Sequence, residues 1–446
     1  MKLSKKKLIF GFAILSSVLI LSFSLKLHSN SKSAVTEEVL QIALSSHLPE
    51  KPVMTKSIEF FENRLNERNG EDILAQNQLL GNYLARFKAY GRQKDLAAAK
   101  EHLNSLLKRY PKKASLYSTL ANVQMAGHQF EKAVGSAEKA IEVAEPDDFV
   151  NFHLRLFDAL LTYGDTDAAR GILRTMSFSR RSFDFLVRKA RLEDKLGNLE
   201  NAKSDMEKAL YQAQAYSQSP VVIGWCMVTL GHYEHHSGNG QKAVDTYLEA
   251  LAQLPGYPAA LEGIAAISHI IDHNLPAAKQ LYQKALENGG ELDIYSNLIA
   301  IERQLGNDEN AENYLKHFIK KATQDPKTER LFYLPLAFLL AEKNETLSRA
   351  LHYAKLDFKN RPSSESYDTL AWVLYKSGDI ENAYEAAIKA VAWGSPEPVV
   401  LYHSGIIIWD FGEKEQAQVL LEAALENAQE LQADVVAEIR AKLQMS

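Results

Sequence analysis

Apolar and polar positions along the chain follow a helical period, and one small residue keeps a much longer one. Alanine returns at Ala99, Ala133, Ala169, Ala202, Ala243, Ala278, Ala311, Ala350, Ala383 and Ala417, with gaps of 34, 36, 33, 41, 35, 33, 39, 33 and 34 residues. A small residue recurring near 34 predicts an array of helix pairs in place of one globular core. The unit is clearest around Ala243. Met227, Leu230, Gly231 and Glu234 fall at i, i+3, i+4 and i+7, one face of a first helix. Ala243, Tyr247 and Ala250 give the inner face of a second, Gly238-Asn239 supplies the turn between them, and Pro255 ends the unit. Gly231 and Ala243 are small because the two helices cross closely there.

The same frame fits Tyr117, Leu120, Ala121 and Ala133; Leu186, Ala190, Gly197-Asn198 and Ala202; Tyr295, Leu298, Gly306-Asn307 and Ala311; Tyr367, Leu370, Ala371, Gly378-Asp379 and Ala383; and Leu401, Gly405, Gly412 and Ala417. Three places strain it. Leu261, Ile264 and Ala265 fit only if the following turn is one residue longer, and Pro335 falls in the first helix of the eighth unit, where it is tolerated only in the first turn. The 41-residue gap requires a lengthened second helix or loop around 209–219.

This pattern resembles the tetratricopeptide repeat family, in which a large residue, Leu-Gly and an aromatic on the first helix precede Ala, an aromatic, Ala and Pro on the second. The resemblance covers residues 78–430 and implies an all-α superhelical solenoid of about ten helix-turn-helix repeats. Ile58, Phe61 and Leu65 read as a capping half-repeat within 56–77, and Val435, Ile439 and Leu443 as a closing helix within 431–446.

The N-terminus adds a second signal. Lys2, Lys5, Lys6 and Lys7 lie in a basic segment, 1–7, ahead of an uncharged run at 8–25. Its 18 residues are at the lower limit for spanning a bilayer and exceed a usual signal-peptide core. The expectation is a transmembrane helix acting as signal anchor, a polar tether at 26–55, and single-pass placement in a bacterial inner membrane. The N-terminus would then be cytoplasmic and the array periplasmic. The alternative is a cleaved leader and a soluble periplasmic or secreted protein.

Composition removes several functions. A net charge of −5 leaves no basic stripe for nucleic acid. Cys226 is the only cysteine, so no internal disulfide or cysteine-based metal motif exists, and its place in a repeat helix predicts a buried thiol. No glycine-rich phosphate loop, nucleophile elbow or cofactor motif is present, and no catalytic constellation is found. In Gly231-His232-Tyr233-Glu234-His235-His236, His232 and His236 share a helical face at metal-chelating spacing, without a zinc-protease pattern.

The resemblance implies that outward positions of each first helix line a concave groove that binds peptides or helices of protein partners. On this chain those positions carry Trp225, His232, His235 and His236, then Asp368, Trp372 and Tyr375, then Tyr402 and Trp409. Aromatic residues flanked by charge are what binding hot spots use. The alternative for Trp372 and Trp409 is packing against the next repeat. The family's carboxylate clamp is incomplete, since Asn122 is followed by Asp158 and Arg191. The expected function is therefore a non-enzymatic, membrane-anchored scaffold in an envelope complex. A subunit of a polysaccharide synthesis or export system, stacking glycan on the aromatics, is a second possibility, and a metal-binding protein using residues 232–236 a third.

Overall fold

The computed structural model describes residues 33–48, 53–145, 149–176, 181–326, 328–392 and 397–444. Among these, every regular element is a helix. The order is α1 (Glu37–Ser45), α2 (Val53–Glu67), α3 (Ile73–Tyr90), α4 (Gln93–Arg109), α5 (Ala114–Ala126), α6 (Phe130–Glu142), α7 (Phe149–Tyr163), α8 (Thr166–Thr175), α9 (Phe183–Lys195), α10 (Leu199–Ala215), α11 (Pro220–His236) and α12 (Gly240–Gln253). It continues with α13 (Pro258–Ala266), α14 (Leu275–Glu287), α15 (Ile294–Gln304), α16 (Asp308–Ala322), α17 (Tyr333–Leu340), α18 (Leu347–Asn360), α19 (Ser364–Lys376), α20 (Ile380–Ala392), α21 (Pro398–Phe411), α22 (Lys414–Glu426) and α23 (Ala433–Gln444).

From α3 to α22 these helices form ten antiparallel pairs, one for each recurring alanine. All ten alanines are buried, Ala311 the least at 4% exposure. The small-residue rule has a steric cause. A Cβ placed on Gly231 in α11 would lie 2.5 Å from the ring of Tyr247 in α12, closer than packed atoms tolerate. First helices of neighbouring repeats pack on each other, as α5 on α7 and α19 on α21, whereas second helices make at most marginal contact. The first helices therefore lie on the inside of the curve.

The off-period units resolve into local geometry. After α13 the extra residue is absorbed by a π-helical turn, Ile267–Ile271. Pro335 is the third residue of α17, which a 3₁₀ turn at Glu329–Phe332 precedes, so its missing N–H falls in the first turn, where no helical partner is needed. The longest gap holds the 17-residue α10.

The solenoid closes on itself. The turn after α3 meets the loop after α14, where Gly91 faces the carbonyl of Gly289; the turn after α7 meets the loop after α18, where Gly164 faces that of Pro362. Further along, Lys195 binds Glu365 at 2.6 Å and His236 approaches Glu430 at 3.8 Å. Turns of repeats one to five thus rest on loops about half the array further on. Gly164 is required at its contact, because φ is +106° and a Cβ would sit 2.8 Å from the Pro362 carbonyl.

Two expectations change. Residues 34–48 do not form a plain tether. Thr36 caps α1 by accepting from Val39 N, Leu40 and Ala43 are buried, and the helix runs alongside α14. The expected membrane helix at 8–25 lies outside the described residues, and among those described no helix is long and apolar enough to cross a membrane. The single-pass inner-membrane placement is therefore not supported. The apolar faces of the array helices are covered by neighbouring helices.

Candidate functional site

The inner surface is built by α3, α5, α7, α9, α11 and their successors, and its two halves differ. In the last two repeats the groove aromatics are consumed by neighbours. Trp372 is 7% exposed, its ring 4.1 Å from that of His403 and 5.5 Å from that of Tyr375, with the Lys376 ammonium 4.8 Å from the ring centre. Its indole N–H is buried without an acceptor. Asp368 is buried against His403 Nδ1 at 3.0 Å. Tyr402 donates to Glu438 on α23 at 2.7 Å, Tyr375 donates to Asp410 at 2.6 Å, and Trp409 is 8% exposed under Lys414. Four of the expected groove residues, Asp368, Trp372, Tyr402 and Trp409, are thus buried in contacts with neighbouring helices. Neither indole offers an open face on which a sugar could stack.

Repeat five is different. Ser219 caps α11 and Pro220 occupies its first turn, fixing which side chains turn inward. Trp225 is half-buried and His232 and His236 are exposed. His232 is open to solvent yet walled by the curve of the array, and this desolvation, with His236 and His235 nearby, lowers it to about 4. Burial likewise lowers His235 to about 4, and its Nε2 is buried without a partner. The imidazoles do not converge. His232 meets the edge of Tyr247, and the rings of His235 and His236 stand 6.0 Å apart. Among the described residues no group of three or more His, Cys, Asp or Glu side chains is placed to hold a metal. The metal alternative therefore has no geometric support.

Glu234, on the same helix, is fully buried for a structural reason. It binds Lys242 at 2.6 Å, Asn239 at 3.0 Å and Lys203 at 3.3 Å. Burial alone would raise its pKa, but these bonds hold it below the usual range. Glu302 and Asn307 repeat the staple two repeats later at 3.0 Å. Cys226 is also buried, its thiol pushed up to about 12 by desolvation, which leaves little thiolate for chemistry.

Beside repeat five the inner wall is cationic. Asp158 accepts from Arg188 at 2.7 Å and from Arg155 and Arg191 at 3.0 Å each. Burial opposes its ionisation, but the three guanidinium groups hold it below the usual carboxylate range. Lys88 adds a fourth cation, lowered by desolvation and by the charge of Arg155. In the repeat frame Asp158 and Arg191 read only as a broken clamp. The cluster they form with Arg155 and Arg188 depends on how α7 and α9 stack, which no single repeat encodes.

Residues 183–216, spanning α9 and α10, match the tetratricopeptide repeat family model. This pair is a tetratricopeptide repeat, and each of the other nine pairs likewise packs on its own recurring buried alanine. An array of such repeats is consistent with protein–protein interaction. No curated protein matches it in sequence. Solved structures similar to this chain include the human IFIT1 dimer with m7Gppp-AAAA, at 13% identity and TM-score 0.47, covering 89% of this chain and 95% of that one. Yeast Tom70 is similar at 13% identity and TM-score 0.35, over 83% and 96% of the two chains. A tetratricopeptide repeat protein from Parabacteroides merdae is similar at 18% identity and TM-score 0.35, over 59% and 98%.

Proposed function

We propose that this protein is a non-enzymatic scaffold that captures a peptide segment of a partner on the inner face of repeats three to five. One observation carries the reading: on α11 His232 is exposed, Trp225 is only half-buried, and His235 Nε2 is buried without a partner among the described residues. A buried donor or acceptor left unpaired costs about 1–3 kcal/mol, a cost that a bound peptide backbone would relieve. The half-buried indole supplies an apolar anchor, and the adjoining guanidinium cluster favours a segment carrying carboxylates. Protein partners are favoured over glycans because the open part of the groove holds one indole and several hydrogen-bonding imidazoles.

The test is a random-peptide display selected on the purified chain and repeated on a Trp225→Ala/His235→Ala variant. Selection of a shared motif that the variant loses, at unchanged far-UV circular dichroism, supports the reading. Equal enrichment on both proteins overturns it.

A further inference from the structure

The outer layer carries one short helix docked along another and, elsewhere, one open cleft. Along α14 lies α1, a nine-residue helix opening with Glu37 and Glu38 and burying Leu40 and Ala43. Its ends are pinned. Ala34 N and Val35 N donate to the Asp272 carboxylate at 3.0 and 2.7 Å, and the Ser46 hydroxyl accepts from Gly256 N at 2.8 Å. This outer layer therefore accepts a short acidic amphipathic helix laid along a second helix.

Between repeats three and four the outer layer is open. The ten-residue α8 is the shortest second helix of the array and packs only lightly on α9. The gap is a cleft of about 1210 Å³ between α8, α9 and α10. Its floor includes Leu173, Phe185, Leu186 and Leu192. Five cations, Arg170, Arg174, Arg181, Lys189 and Lys208, outnumber three acids, Glu193, Asp205 and Glu207. Asp205 is buried and occupied by Lys189 at 2.5 Å and Lys208 at 3.3 Å. Among the described residues the guanidinium groups of Arg174 and Arg181 make no ion pair. Tyr211 and Tyr216, 72% and 77% exposed, stand at the rim.

We propose that this cleft docks an acidic amphipathic helix of two to three turns from a partner protein. Its wall, the ten residues of α8, is about 15 Å long, the length of such a helix. The apolar floor takes the buried stripe, the unpaired guanidinium groups meet carboxylates on the polar face, and Tyr211 and Tyr216 close over the edges. The site is on the opposite side of the solenoid from the peptide groove, so either can fail without the other.

The test uses the full chain and fluorescein-labelled, stapled ten-residue amphipathic helices, one with glutamates and one with lysines on the polar face, read by anisotropy. The acidic helix is expected to bind, and Arg174→Glu/Arg181→Glu to weaken it at least tenfold while favouring the lysine helix. Tyr211→Ala should weaken both, and all variants should keep the parent's thermal midpoint. The proposal is overturned if neither helix binds or both bind equally, or if the variants leave binding unchanged. It is also overturned if a photo-crosslinker at Tyr216 captures a second copy of this chain, with dimers in sedimentation.

Discussion

Repeats five and nine carry aromatic or imidazole side chains at the same register of their first helices, and the fold treats them oppositely. His232 and Trp372 each follow the small residue at the helix crossing, Gly231 and Ala371. His232 is open to the interior of the curve, whereas Trp372 is sealed beneath His403 and Tyr375. Register fixes which way a side chain points. Exposure depends on the next first helix, and in repeat ten that helix supplies Tyr402 and His403, large enough to cover it.

The largest test of this contrast is Trp372→Ala. Removing a buried indole from this stack should cost about 3–5 kcal/mol, read as a lower denaturation midpoint. A midpoint within experimental error of the parent would place Trp372 in an open groove after all. Next is Gly164→Ala, which tests whether the array is closed. The substitution forces a Cβ against the Pro362 carbonyl at positive φ, with an expected loss of about 1–3 kcal/mol. A loss no larger than that of Gly412→Ala, where φ is +113° and nothing lies within 4 Å of the added Cβ, would mean that the two halves of the array do not rest on each other.

Much of the fold was legible because the repeat is a packing rule. Ala99 through Ala417 mark ten helix crossings, and a stricter requirement for a small residue shows at Gly231, against Tyr247. The extra residue before Ala278 became a π turn, and Pro335 found the first turn of a late-starting helix. The docking of α1 was missed although its signal was present, a Thr36 cap with Glu37 and Glu38 ahead of Leu40 and Ala43. The site was less legible. Trp225 and His232 could be placed on the inner face, but the burial of Trp372 depends on contacts between repeats. The Asp158 cluster and the cleft beside α8 depend on the angle at which one repeat meets the next. These are properties of interfaces, and the repeating pattern specifies only the unit.

A pH series sharpens the comparison at the open end. His232 and His235 sit near 4 in the folded chain and would return towards 6.5 on unfolding. Between these values the unfolded chain binds protons that the folded chain refuses, so stability should be full above pH 6.5 and fall as pH drops towards 4. His235→Gln should flatten the curve of thermal midpoint against pH in that window. Parallel curves for parent and variant would show that His235 is as well solvated folded as unfolded.

The smallest expected effect on stability is at Trp225. Its indole is half-buried, where Trp372 is sealed, so Trp225→Ala should cost well under the loss at Trp372, about 1 kcal/mol or less for a side chain that leaves no closed cavity. Its effect on partner capture should run the other way. If position 225 serves binding and position 372 serves packing, Trp225→Ala loses the peptide and keeps the fold, while Trp372→Ala lowers the midpoint and, below that temperature, still binds. Equal thermal losses at both positions, with peptide retained at both, would mean that repeat five uses its indole as repeat nine does. The inner face would then have no open half.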